Sequence, residues 1–139
     1  MKQVVVVAAI IQANEKVLCV QRGLNKLDYI SQKWEFPGGK IEDGETEPSA
    51  LEREIREELK LDVAVADKFL TVNHAYPDFH LTMEAYLCAP ETGGLPELSL
   101  TEHLDYKWLA VQSDEFVSLD WAAADIPIVN ALRSTESLS

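Results

Sequence analysis

The sequence predicts an α/β (α+β) fold in a single domain, and three observations lead there. Residues 4–12 form a β-branched, almost continuous apolar run, the pattern of a strand covered on both faces. Further apolar runs of strand length follow it, separated by polar or glycine-containing turns. Between them, Leu51, Ile55 and Leu59 recur at i, i+4 and i+8, which stacks them as the core stripe of a helix. A chain of 139 residues suits one core, and its 47% hydrophobic share is ordinary for a globular protein.

In chain order, Asn14-Glu15-Lys16 makes a turn and residues 17–21 return as a second strand. Residues 22–33 are polar and irregular, a loop suited to lie over a pocket. Trp34-Glu35-Phe36 is a short strand that runs into a turn at Pro37-Gly38-Gly39. After a second turn at Glu42-Asp43-Gly44, Thr46 or Glu47 caps a helix with Pro48 in its first turn, ending near Leu59. Lys60 then falls where a left-handed residue is needed, and a Cβ there costs roughly 1 kcal/mol relative to glycine.

Residues 61–66, 69–74, 80–89 and 106–111 read as four more strands. Ser113 caps a short helical turn, and a last helix covers roughly residues 125–132. The domain is expected over residues 1–133, with 134–139 as a disordered tail.

Charge narrows the function. The formal net charge is −12, from 24 acidic and 12 basic residues. Such a surface repels a DNA or RNA backbone. It does not repel a mononucleotide if cations lie between acids and phosphates. Residues 4–11 are too few to cross a bilayer and lack a cleavage pattern, so no membrane partner is expected. Cys19 and Cys88 form no CxxC pair, which suits two buried free thiols in a reducing cytoplasm. His74, His80 and His103 have no metal-ligand spacing.

The helix carries an unusual second face. Glu54, Glu57 and Glu58 stand at i, i+3 and i+4, and each like-charged pair at such spacing destabilises a helix by a few tenths of a kcal/mol. Arg53 and Arg56 offset part of this; a divalent cation offsets more, since carboxylate oxygens suit Mg²⁺ or Mn²⁺. Reduced to fixed positions, residues 39–61 read G-x5-E-x7-R-E-I-x-E-E-x-K-L. Six matches at fixed offsets arise by chance with a probability on the order of 10⁻⁷ per start position.

That pattern resembles the Nudix box, except that Lys60 stands where the box has glycine. The resemblance extends across residues 4–132 and is nearest to the MutT-type nucleoside triphosphate pyrophosphohydrolases. It rests on Trp34-Glu35-Phe36-Pro37-Gly38-Gly39-Lys40-Ile41-Glu42, on Tyr76-Pro77-Asp78-Phe79-His80, on the acidic Glu102 six residues before Trp108, and on Ala124-Asp125-Ile126-Pro127.

The resemblance implies an α/β/α sandwich with a mixed sheet between helices, and conversion of an NTP to an NMP and pyrophosphate with Mg²⁺ or Mn²⁺. It implies metal ligands at Gly38, Glu54, Glu57, Glu58 and Glu102, with Arg53 orienting Glu54. The general base is Glu54 or Glu102. Substrate contacts fall to Arg22, Phe36, Gly39, Lys40, Tyr76, Phe79 and Asp125, although each of the three aromatics is equally explained as core. Asp125 either faces the base edge or caps the last helix, or does both.

Three activities fit the sequence: hydrolysis of (d)CTP-like or oxidised dNTPs such as 8-oxo-dGTP in nucleotide-pool sanitation, hydrolysis of ADP-ribose or dinucleoside polyphosphates, and nucleotide binding without catalysis. The partner is a small nucleotide, and the state a monomer or homodimer.

Overall fold

The computed structural model describes residues 1–138, with side chains through Thr135. Its elements are β1 (Lys2–Ala13), β2 (Lys16–Arg22), β3 (Trp34–Glu35), β4 (Gly38–Lys40), α1 (Glu47–Leu59), β5 (Val63–Ala75), β6 (Phe79–Pro90), β7 (His103–Leu109), α2 (Asp114–Ser118), a 3-10 turn (Ala123–Asp125) and α3 (Ile126–Leu138).

The apolar run near the N-terminus is the spine. β1 pairs in parallel with β6, from Lys2↔Phe79 to Ile11↔Cys88. Val6 to Ala8 pair antiparallel with β4, and the end of β1 turns back into β2. β5 lies outside β6, while β2 carries both β3 and β7. One parallel pair among antiparallel ones makes the sheet mixed.

Alternate residues of β1 supply two cores, because strand side chains alternate between faces. Val7, Ala9 and Ile11 pack with Ala50, Leu51, Ile55 and Leu59 of α1. Ala8 and Ile10 join Phe116 of α2 and Ile128, Val129 and Leu132 of α3. The sheet therefore lies between α1 and α3, as expected of an α/β/α sandwich. Leu51 and Ile55 are fully buried, and truncating either to Ala would cost about 2–5 kcal/mol. Among the described residues, no helix is long and apolar enough to cross a membrane.

Local chemistry sets the bounds of α1. Thr46 is its N-cap and accepts from the Ser49 N–H at 3.2 Å, while the Ser49 hydroxyl oxygen accepts from the Thr46 N–H at 3.0 Å. This reciprocal box satisfies donors that the first turn would otherwise leave unpaired. At the other end Lys60 adopts φ 54° and ψ 40°, the expected left-handed cap.

Four expectations change. Gly38 and Gly39, expected in a turn with Pro37, instead open β4 with Lys40, because Gly38 presses directly against β1: a Cβ there would lie 1.9 Å from the Val7 carbonyl oxygen. Residues 61–66 and 69–74 belong to one strand, β5, whose register shifts between Val65 and Leu70 gave the pattern its interruption. β7 begins at His103, earlier than its apolar run suggests. The segment expected as a disordered tail instead continues α3 through Leu138, and residue 139 lies outside the described residues. Cys19 and Cys88 are both buried and unpaired.

Candidate active site

A cavity of about 810 Å³ opens beside β1, β3, β4 and α1, a volume suited to a nucleotide. Its lining includes Glu54, Glu58 and Glu102 as well as Arg22, Lys26, Lys40, Phe36, Tyr76, Phe79 and Asp125. Helix periodicity explains the first two, since residues four apart stack on one face. The loop of residues 23–33 does lie over the cavity. Lys26, Leu27 and Ile30 line it, while Tyr29 stacks on Tyr76 at 5.2 Å and 18° and donates a hydrogen bond to Asp78.

Arg53 organises the carboxylate end. Its Nε and Nη2 grip Glu45 at 2.6 and 2.9 Å, and Nη2 also donates to the Lys40 carbonyl at 3.0 Å. Its Nη1 reaches Glu54 Oε1 at 3.1 Å and Glu57 Oε2 at 3.2 Å. Charge-assisted, bidentate bonds of this kind fix geometry as well as add energy. The guanidinium holds Glu45 below its ordinary carboxylate range. Glu45 also accepts from the Glu42 N–H at 2.9 Å, so it ties the loop to the helix, as expected. Gly39 completes the seat of Glu54: a Cβ there would lie 2.4 Å from that carboxyl carbon.

Burial separates the three helix glutamates. Glu57 is exposed, Glu54 half-buried, and Glu58 buried at 8% exposure. Burial raises the Glu54 pKa, opposed by Arg53 and reinforced by Glu57 and Glu102. Glu58 is pushed up to about 8, by burial first and then by Glu54, Glu102 and Glu35, against the pull of Arg22.

One atom tests the fit to a divalent cation. Glu58 Oε2 is buried with no hydrogen-bond partner, a costly state for a carboxyl oxygen unless something binds it. Oxygen donors from Glu54, Glu58 and Glu102 in one wall suit Mg²⁺ or Mn²⁺. Among the described residues, no three His, Cys, Asp or Glu side chains are yet drawn into a metal-holding cluster; Arg53 holds Glu54 and Glu57 instead.

A second network, unforeseen in the sequence, lies beside it. Arg22 donates to Glu35 Oε1 through Nε at 3.0 Å, and its Nη2 forms an ion pair with the same oxygen at 3.0 Å. His103 Nε2 approaches the other Glu35 oxygen at 3.4 Å from a side chain only 4% exposed. The one available signal was Glu35 itself, an acid set between Trp34 and Phe36 in a strand that is otherwise core.

Elsewhere in the lining, Asp125 is buried at 5% exposure and accepts from the Phe36 N–H at 3.0 Å. It therefore bonds to the residue that follows β3, and among the described residues no bond runs from its side chain to the first turn of α3. Burial first, then Glu35, raises its pKa well above normal, against Phe36 N–H and Arg22. The Tyr76 hydroxyl oxygen accepts from the Ala124 N–H at 3.0 Å, next to Asp125. Phe36 stacks on Trp121 at 4.9 Å, and Tyr76 packs against Phe79 at 5.2 Å. These rings are core and cavity wall at once.

Residues 6–131 match the NUDIX domain family. The chain belongs to the Nudix hydrolase family. It is 33% identical to the CTP pyrophosphohydrolase of Escherichia coli (strain K12), over 96% of this chain and 94% of that protein. It is 42% identical to the 8-oxo-dGTP diphosphatase of Proteus vulgaris over a shorter stretch, 53% of this chain and 64% of that protein. The solution structure of the E. coli ORF135 protein superposes with a TM-score of 0.80 at 30% identity, covering 99% of this chain and 94% of that one. Asp125 lines the same cavity as Glu54 and Glu58 of the box.

Proposed function

We propose that this Nudix protein is a divalent-metal-dependent pyrophosphohydrolase of nucleoside triphosphates, acting on (d)CTP-like or oxidised dNTP substrates in nucleotide-pool sanitation. The observation that carries the reading is the unpartnered, buried Glu58 Oε2 in the wall of a nucleotide-sized cavity. Glu54, Glu58 and Gly38 would hold Mg²⁺ or Mn²⁺, with Glu57 outside them and Glu102 kept for the proton. Bound there, the ion would neutralise charge between carboxylates and phosphates and polarise the reacting phosphoryl group.

The chain's own groups do the rest. Arg22, Lys26 and Lys40 line the cavity and meet the phosphates. Arg53 keeps Glu54 oriented. Glu102 has no hydrogen-bond partner among the described residues and is free to take a proton from water. Water adds to the β-phosphorus, its proton passes to Glu102, and the bond from that phosphorus to the bridging oxygen breaks. The NMP leaves with the bridging oxygen, and pyrophosphate carries the new hydroxyl.

Base selection falls to Asp125. Burial raises its pKa, and a protonated carboxyl would both donate and accept, which would suit an edge that sets an acceptor beside a donor. Cytosine N3/N4 is such an edge, and so is guanine O6/N1. The acid therefore admits both substrate classes, and the aromatic wall around it must weigh one against the other.

A panel of CTP, dCTP, 8-oxo-dGTP, ADP-ribose and diadenosine tetraphosphate with Mg²⁺, products resolved by chromatography, tests the proposal. NMP and pyrophosphate from a triphosphate are expected. Preferential release of AMP and ribose phosphate from ADP-ribose would overturn it, as would nucleotide binding without turnover.

A further inference from the structure

Glu102 is an exposed side chain on a segment outside regular structure, immediately before β7. Its carboxylate has no side-chain partner among the described residues, yet it shares a cavity wall with Glu54 and Glu58 and acts electrostatically on both. A carboxylate free at its tip stays in place only if its backbone is held. The residues on either side of it are held, each to a different part of the site.

On one side, Thr101 is fastened to the end of α1. Its N–H donates to the Glu58 carbonyl at 3.2 Å. Its hydroxyl donates to the same carbonyl at 3.2 Å and reaches the Glu57 carbonyl at 3.4 Å. Ser99 N–H donates to the Leu59 carbonyl at 3.3 Å. The last carbonyls of a helix lack intrahelical partners, so this segment completes α1 at the turn that carries Glu57 and Glu58.

On the other side, a bulge sets the direction. β2 and β7 pair as Gln21↔Asp105 and then Arg22↔His103, which leaves Leu104 as the extra residue, 53% exposed. Bulges re-aim side chains, and here His103 is aimed at Glu35. Behind the segment, a Cβ on Gly23 would stand 3.2 Å from the Glu102 carbonyl oxygen, so β2's exit packs closely against it.

We propose that Thr101 and His103 are positioning residues for Glu102: Thr101 clamps it to the α1 turn bearing Glu58, and His103 clamps it to the Arg22–Glu35 pair. The inference rests on the hydrolase reading above. The two anchors fix the distance from Glu102 to the α1 glutamates, which is the quantity a proton acceptor for the attacking water needs held.

The test compares Thr101→Val, which removes the hydroxyl at constant shape, with Thr101→Ser, which keeps it, each alone and combined with Glu102→Gln. With the nucleotide turned over fastest in the panel, Thr101→Val is expected to lower kcat about tenfold at unchanged KM, the factor for one hydrogen bond. Thr101→Ser should stay within about twofold. In the Glu102→Gln background Thr101→Val should add nothing, because the group it positions is gone. In metal-free protein, amide exchange at residues 101–103 should quicken in Thr101→Val while the middle of α1 is unchanged. His103→Leu should repeat the kcat pattern and His103→Gln partly restore it.

An equal kcat loss from Thr101→Val in both backgrounds, or no loss with unaltered exchange, overturns the positioning role and leaves the hydrolase reading standing. Wild-type kcat in Glu102→Gln alone removes Glu102 from the mechanism and this inference with it.

Discussion

Glu58 makes a prediction in which activity and stability move in opposite directions. In the metal-free fold its pKa is raised from 4.5 to about 8 by burial and by Glu54, Glu102 and Glu35, with Arg22 opposing. Between these two pH values the folded protein keeps the Glu58 proton while the unfolded chain has released it. The folded state then binds more protons, so stability falls as pH rises. The contribution is fully present below pH 4.5 and lost on passing pH 8. At 1.36 kcal/mol for each pH unit, about 3 kcal/mol is gone by pH 7 and about 5 kcal/mol above pH 8.

Glu58→Gln cannot titrate and should escape this loss. After EDTA treatment, its Tm should match the wild type near pH 5 and exceed it by about 10 °C at pH 8. Its kcat should fall at least about a hundredfold, as when a transition-state charge stabiliser is removed. Adding Mg²⁺ or Mn²⁺ should raise the wild-type Tm and leave the variant's unchanged, because only a site in the folded state stabilises by mass action. Scanning calorimetry of both proteins from pH 5 to 8.5 checks this. A Tm difference independent of pH would refute the buried-acid reasoning, and an equal response to metal would refute the ligand assignment.

Lys60→Gly should stabilise the protein by about 1 kcal/mol, by relieving a left-handed residue with a Cβ, and leave kcat unchanged; urea unfolding and steady-state assays measure the two. The neighbouring glycines should fail differently. Gly38→Ala sets a Cβ against the Val7 carbonyl and should cost about 3 kcal/mol or more in denaturant melts. Gly39→Ala meets only the tip of the Glu54 side chain, so it should cost under about 1 kcal/mol while kcat falls about tenfold or more. Asp125→Ala leaves the Phe36 N–H unpaired, costing about 1–3 kcal/mol. It should also flatten the kcat/KM ratio between dCTP and 8-oxo-dGTP, with Asp125→Asn recovering the stability.

What the sequence made legible was local. The cap at Thr46, Pro48, the Leu51–Ile55–Leu59 stripe, the carboxylate face and the left-handed Lys60 each depend on residues within a turn or two. Those features determine α1 wherever the rest of the chain lies. The α/β/α layering came from the Nudix resemblance; the apolar run of β1 itself said only that the strand is covered on both faces. The missing parts depend on pairing across the chain. His103 finds Glu35 because β7 pairs with β2 through a bulge, and no periodicity marks a bulge. Asp125 finds the Phe36 amide 89 residues away; its sequence neighbourhood suggested a helix cap because capping is the local use of such a residue. β4 was hidden for a similar reason, since Gly38-Gly39 reads as a turn until the Val7 backbone occupies the space a side chain would need.

The end of β3 and the residue after it link two networks. Glu35 and Phe36 are consecutive, so the strand sends the first toward Arg22 and His103 while the second's N–H holds Asp125. The charge of Glu35 raises both Glu58 and Asp125, and Arg22 lowers both. Glu58 and Asp125 are thus biased by one ion pair. Glu35→Gln should make both easier to ionise, because it removes a negative charge from each and frees Arg22 from its partner. Unlike Glu58→Gln, which should change kcat without changing base preference, or Asp125→Asn, which should act mainly on preference, it should shift the two together. The pH at which base preference changes and the midpoint of the metal-free stability curve should both move down. If only one of them moved, Glu35 would be acting on a single acid, and Glu58 and Asp125 would be electrostatically independent.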